Sequence, residues 1–197
     1  MSSRLLLIFL RNPVPGSVKT RLAASVGDAK ALEIYNKLIE HTVEASRQVD
    51  TDIQLWYSSF VDQKDRFDGK RFRKRLQQGG DLGARMWVAF QEGFTEGYAK
   101  VAVIGSDCPD ISPEILESAF SRLDENEVVL GPSEDGGYYL IGMSSRFPFL
   151  FQEMMWSTPD VLPETIRRLE ERSISYGLLP ELNDIDTVED LEQSGFA

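Results

Sequence analysis

The chain of 197 residues holds one cysteine, Cys108, and one histidine, His41. A lone cysteine excludes an intrachain disulfide and fits a reducing compartment, so a cytoplasmic location is expected. The lone histidine lies within a helical pattern and offers no His-based metal site or catalytic triad. Positive charge is scarce: 21 Lys and Arg stand against 32 Asp and Glu, for a net charge of -11. That balance argues against nucleic acid as a bulk partner, because phosphate backbones need basic surfaces. It leaves room for a small phosphorylated ligand, which needs only a local basic spot. Long hydrophobic runs are missing too. "LLLIFL", Leu5 to Leu10, is too short for a membrane span and for a signal-peptide core, and it runs into "RNPVPG". No repeat, low-complexity tract or linker interrupts the chain, so residues 1–197 are expected to form a single domain. At 42% hydrophobic and 27% charged, the composition is that of an ordinary globular protein with a real core.

What is present reads as alternating strands and helices. Leu5 to Leu10 is a continuous apolar run, as in a strand covered on both faces. The loop "RNPVPGSVKTRL" follows, with two prolines and a glycine. From Asp28, a good N-cap, Leu32, Tyr35, Leu38, Ile39, Thr42, Val43 and Ser46 mark one helix face. "DIQLWYSS" is a second strand, "LGARMWVAFQEGF" a helix, and Val101 to Gly105 a third strand. Ser112 and Pro113 suit an N-cap and a first helical position. "EVVLG" and "GYYLIG" are strands joined across "PSEDG". Thr158 and Pro159 open a helix through Leu169, "SISYGLL" is a late strand, and "TVED" has the capping-box form. This is the α/β pattern, with a mainly parallel sheet and right-handed crossovers. In such sheets ligands bind outside the carboxyl ends of the strands, at the switch point.

Four stretches carry residues suited to chemistry. The first 27 residues contain Arg4, Arg11, Lys19 and Arg21 and no acid, a local basic bias in an acidic chain. Gly16 permits close backbone approach, and Lys19 and Arg21 can pair with phosphate oxygens. The competing reading is a surface loop whose cations pair with acids elsewhere. In "GSDCPDIS", Asp107 ends a buried strand, where a carboxylate needs a partner, and a divalent cation is the favoured one. Asp110 is better read as a loop or cap residue. In "GPSEDGGYYLIG", a hairpin explains Gly136 and Gly137. Glu134, Asp135, Tyr138 and Tyr139 would also suit a sugar-like ligand, with Asp135 as a base for an attacking hydroxyl. In "LNDIDTVEDL", Asp184 and Asp186 read alone are an acidic approach to a helix N-terminus. "KRFRKR", Lys70 to Arg75, reads as a solvated basic face, and Cys108 as a small buried residue.

The order of these stretches is more specific than any one of them. "PGSVKTRL", "GGDLGARM", "GSDCPDIS", "GPSEDGGYYLIG", "WSTPDVLPETIRRL" and "DIDTVEDL" together resemble the nucleotide-diphospho-sugar transferase superfamily. More closely, they resemble the small bacterial glycosyltransferase-like family described as radical-SAM/selenodomain-associated transferases. The resemblance covers nearly the whole chain. It implies a three-layer α/β/α, Rossmann-like GT-A fold with a mainly parallel mixed sheet. It implies that Arg11, Gly16, Lys19 and Arg21 wrap nucleotide phosphates and that Gly80, Asp81 and Leu82 contact the nucleobase. Asp107 takes the place of the metal ligand after the middle strand. "DTVEDL" matches a C-terminal motif that supplies a second ligand, which points to Asp186. Lys19, Asp107 and Asp135 are then the expected catalytic residues, and Glu134, Gly136, Gly137 and Tyr138 the acceptor-binding ones. The implied cofactor is Mg²⁺ or Mn²⁺. The implied partners are a nucleotide or nucleotide-sugar donor and a small-molecule acceptor. The implied activity is metal-dependent transfer from a nucleoside diphosphate donor, by a glycosyltransferase using a nucleotide sugar. "SDCPD" departs from the glycosyltransferase Asp-x-Asp pattern, which leaves nucleotidyl transfer from an NTP to a phosphorylated small molecule open. A non-catalytic nucleotide-binding domain is the third possibility.

Overall fold

A computed structural model describes residues 3–67 and 72–196. The described elements form one seven-stranded sheet in the order β3-β2-β1-β4-β6-β5-β7. The strands are β1 (Arg4–Leu10), β2 (Asp52–Tyr57), β3 (Arg73–Leu76), β4 (Lys100–Ile104), β5 (Val128–Pro132), β6 (Tyr138–Met143) and β7 (Tyr176–Leu178). β6 runs antiparallel to β4 and β5, and every other pairing is parallel. This is the expected mainly parallel mixed sheet in an α/β frame. β1 lies inside the sheet between β2 and β4, and its apolar run satisfies two faces at once. Leu6, Ile8 and Leu10 join a core with Tyr35, Ile39 and Phe120. Leu5, Leu7 and Phe9 join a second core with Met86, Phe90 and Leu169. Successive side chains of a strand point to opposite faces, so one run feeds both cores.

The helices are α1 (Thr20–Val26), α2 (Asp28–Arg47), α3 (Leu82–Thr95), α4 (Pro113–Arg122), α5 (Val161–Glu170) and α6 (Val188–Ser194). α2 and α4 cover the first core, and α3 and α5 the second. Ser112 caps α4 with Pro113 inside its first turn, as its sequence requires. At α6, Thr187 and Asp190 close a reciprocal capping box.

Some expectations need correction. "TRL" does not belong to the loop: Thr20 opens α1, which packs Leu22 against Ala31, Ile34, Leu38 and Ile185. Asp28 is the first residue of α2 rather than its cap, a place taken by Gly27. α5 starts at Val161, because Thr158 and Pro159 form a turn pressed against Gly136. "RKRL" is an edge strand. It pairs with β2, while Arg73 and Arg75 reach Glu96 and Lys74 reaches Asp65. The start of that basic run, at Lys70, lies outside the described residues.

Candidate functional site

The sheet changes direction of growth at β1: β2 lies on one side and β4 on the other. Leu10, Tyr57 and Ile104 therefore end their strands on one edge, the place where α/β sheets bind ligands. The antiparallel β6 brings Tyr138 to that edge from the other direction.

The loops on this edge are tied to each other by buried polar side chains. Asn12 is buried and accepts from the Ser59 N–H at 2.9 Å while donating to the Phe60 carbonyl at 2.8 Å. It locks the loop after β1 to the loop after β2. The Tyr35 hydroxyl, carried by α2, accepts from the Arg11 N–H at 2.8 Å and bonds Ser106 Oγ at 3.0 Å. It joins the loops after β1 and β4 across the switch point, and its burial raises its pKa.

Lys19 follows β1 and caps α1 with φ 47 and ψ 48, a left-handed conformation that a lysine seldom adopts. Its side chain makes no cap bond to the helix. Its Nζ instead donates to Asp107 Oδ2 and Asp186 Oδ1, at 2.9 Å each. The Lys19 side chain is 4% exposed, against 34% for Asp107 and 52% for Asp186. Burial works against the ammonium, and the charges of Asp107 and Asp186 more than offset it, so Lys19 titrates above a free lysine.

Each carboxylate has its own support. Gly105 gives Asp107 room, since a Cβ there would lie 2.8 Å from Asp107 Oδ1. Asp107 in turn accepts through its carbonyl from the Ile185 N–H at 3.1 Å, which draws the C-terminal segment to β4. Ile185 is buried with α1 and α2, and the Asp186 N–H donates to Asp190 in the capping box. Asp184 is pushed well above the ordinary carboxyl range by burial and by the charge of Asp107, with Lys19 opposing. Its Oδ1 is enclosed and has no hydrogen-bond partner. Burial also pushes the Cys108 thiol up to about 12, with Asp184 adding to it.

Asp107 and Asp184 open onto a cleft of about 490 Å³. Its wall includes Arg11, Ser58, Gln77, Asp81, Arg85, Asp135, Tyr138 and Trp156. The site suits a divalent cation. Two hard carboxylate oxygens converge on one cationic position, and Asp184, whose Oδ1 lacks a partner, is close enough to feel the charge of both acids. Among the described residues no three His, Cys, Asp or Glu side chains are spaced to hold a metal by themselves. A cation here would complete its coordination with phosphate oxygens and water, the habit of Mg²⁺.

Residues 42–158 match the family described as an uncharacterized protein conserved in bacteria, DUF2064. The chain belongs to this family. The DUF2064 chain is also similar to a solved structure from Desulfovibrio desulfuricans G20, provisionally named a nucleotide-diphospho-sugar transferase. Identity is 34% over 97% of this chain and 85% of that one, with a TM-score of 0.90. The resemblance drawn from the sequence is borne out there. Two more distant structures share the fold. One is 4-diphosphocytidyl-2C-methyl-D-erythritol synthase from Anaerococcus prevotii, at 12% identity, coverage of 98% and 95%, and TM-score 0.62. The other is Rv0371c of Mycobacterium tuberculosis in complex with manganese, at 13% identity, 98% of both chains and TM-score 0.57. No curated protein matches the sequence.

The DUF2064 fold brings together most, though not all, of the residues singled out above. Lys19, Asp107 and Asp186 meet directly. Arg11, Asp81, Leu82, Asp135, Gly137 and Tyr138 line the cleft, while Arg21, Gly80, Glu134 and Gly136 do not. Arg21 is exposed on α1, and Gly16 at φ 74 shapes the loop beside Asp28. Asp81 caps α3 through the Ala84 N–H at 2.7 Å, so part of its hydrogen-bonding capacity is already used. Gly136, at φ 86, has no room for a Cβ against Pro159. Asn12, Tyr35, Gln77, Arg85 and Trp156 were not singled out. Arg85 and Trp156 lie within quoted motifs, whereas Asn12 and Tyr35 act through contacts that no spacing encodes. His41, without a partner along the sequence, bonds the Ile111 carbonyl at 2.9 Å.

Proposed function

We propose that this chain is a nucleotide-dependent transferase in which Asp107 and Asp186 hold a divalent cation against the diphosphate of a nucleotide-sugar donor. The observation that carries this reading is the convergence of Lys19, Asp107 and Asp186 beside a cleft at the switch point. A similar chain named as a nucleotide-diphospho-sugar transferase and a more distant one solved with manganese support it. When bound, the cation serves as a Lewis acid that offsets charge on the leaving diphosphate. Lys19 and Arg11 add fixed positive charge for the same oxygens. Asp135 accepts the Gly137 N–H through Oδ1 at 2.9 Å, which orients its carboxylate to take a proton from an acceptor hydroxyl. Tyr138 and Trp156 give the cleft an aromatic side for the acceptor.

One observation favours a second reading, nucleotidyl transfer. The second carboxylate at the site comes from the segment before α6, and not from an Asp-x-Asp pair after β4, where Cys108 is buried. The test is calorimetric titration with nucleotides and nucleotide sugars, in Mn²⁺ and in EDTA, followed by product analysis. Metal-dependent binding and release of a nucleoside diphosphate supports sugar transfer. Release of pyrophosphate from an NTP selects the second reading. Binding indifferent to metal and to Asp107 sinks both.

A further inference from the structure

Lys19 takes the position that a divalent cation on Asp107 and Asp186 would need. Its ammonium is 2.9 Å from one oxygen of each carboxylate. A metal bound by those same oxygens, at roughly 2.0–2.6 Å, would fall almost on the ammonium itself. Two cations in that space repel each other strongly, so the two occupants exclude one another.

We propose that Lys19 is an exchangeable counter-ion: a divalent cation displaces its ammonium from the Asp107–Asp186 pair, and the freed ammonium turns to the donor diphosphate. The inference rests on the metal-diphosphate reading above and adds an order of events to it. Three features of the chain support it. The lysine side chain is buried, so once displaced it needs another anion, and the diphosphate brings one. The backbone of Lys19 is held at φ 47, its carbonyl accepting from the Ala23 N–H at 2.8 Å and its side chain making no cap bond, a conformation that persists only while contacts fix it. The two ion pairs are among those contacts. Finally, Asp186 is half exposed and Asp107 a third exposed, so a cation can approach the pair from solvent without first opening the core.

Exchange makes metal and diphosphate cooperative. Metal alone must displace an ammonium that then lacks an anion, whereas metal with diphosphate leaves every charge paired. Each ligand therefore strengthens the other by the same factor.

Two measurements decide the matter. Mn²⁺ is titrated calorimetrically, without nucleotide, into wild type and Lys19→Met. Exchange requires the variant to bind Mn²⁺ at least about tenfold more tightly, since no resident cation competes. Equal or weaker binding, or none in either protein, overturns the proposal. The second measurement uses wild type alone, in case the variant does not fold. Lysines are acylated and read by mass spectrometry, with the exposed Lys30 and Lys37 as internal references. Lys19 should be protected without metal, modified faster in Mn²⁺, and protected again by Mn²⁺ with UDP, GDP or CDP, whichever binds. Lys19 that stays protected in Mn²⁺ alone overturns exchange. Failure of this idea remains distinct from failure of the transferase reading: metal-dependent nucleotide binding by wild type then persists, and is lost only if that reading falls too.

Discussion

Two lysines stand near opposite ends of β4, and their surroundings differ in charge balance. Lys100 opens the strand. It donates to the Phe120 carbonyl at 3.1 Å and pairs with Asp124, which is 64% exposed. Lys100 and its register neighbour Arg4 there face Asp124 and Glu117, cations matched by anions, near the C-terminal end of α4, where a helix favours positive charge. At the other end Lys19 meets Asp107 and Asp186, with Asp184 close by and one of its oxygens unpartnered. One cation there faces a surplus of carboxylates. The balanced end is what a surface ion pair looks like when it only finishes a structure. The surplus end has room for more positive charge, which is why the site reading belongs to one end of β4 and not the other.

The largest test of that contrast is Asp107→Ala. Metal-dependent nucleotide binding should weaken about 100-fold or more, since a charged ligand is lost outright. Asp107→Asn should do nearly the same with less loss of Tm. Retained binding in both variants would break the comparison. Asp186→Asn comes next, at about tenfold, because its more exposed carboxylate is better screened. Gly105→Ala, adding a Cβ 2.8 Å from Asp107 Oδ1, should push that carboxylate aside and weaken metal binding about threefold in an intact fold.

Asp184→Asn probes stability. The native carboxyl titrates above its unfolded value, so the native state binds the extra proton between the two. Its contribution is therefore complete at low pH and is lost as pH rises through the native pKa. The variant should exceed wild type by about 1 kcal/mol, or ~3 °C in Tm, at neutral pH without metal. The gap should close toward about pH 4, and a constant gap across melts at both pH values would contradict the account. The smallest effect belongs to the balanced end. Lys100→Met with Asp124→Asn should shift Tm by less than about 2 °C and leave nucleotide binding unchanged.

Much of the frame could be read along the chain, because the signals are local. The apolar run of β1, the face of α2 and the caps of α4 and α6 each depend on residues a few positions apart. β3 was hidden because "RKRL" has no apolar alternation and becomes a strand only by pairing with β2 on a parallel edge. α1 was hidden behind a proline-rich loop, and its order comes from packing on α2 and Ile185. At the site the residue types were legible, and the resemblance already paired Asp107 with Asp186, but the direct bonds of Lys19 to both were not. The bonds from Lys19 to Asp107 and Asp186 span 88 and 167 residues, and Tyr35 reaches Ser106 across 71.

The sequence by itself determined an α/β chain with a basic loop after its first strand and carboxylates after a middle strand and before its last helix. Periodicity, capping and composition act over one or two turns, so they survive without a third dimension. Only the tertiary structure decided that Lys19 and not solvent meets the two carboxylates, that Asn12 and Tyr35 tie the loops of that edge together, and that Asp184 lacks a partner for one oxygen. Those outcomes depend on strand order and on burial, which raise the cost of every unpaired charge and are set by the whole chain at once.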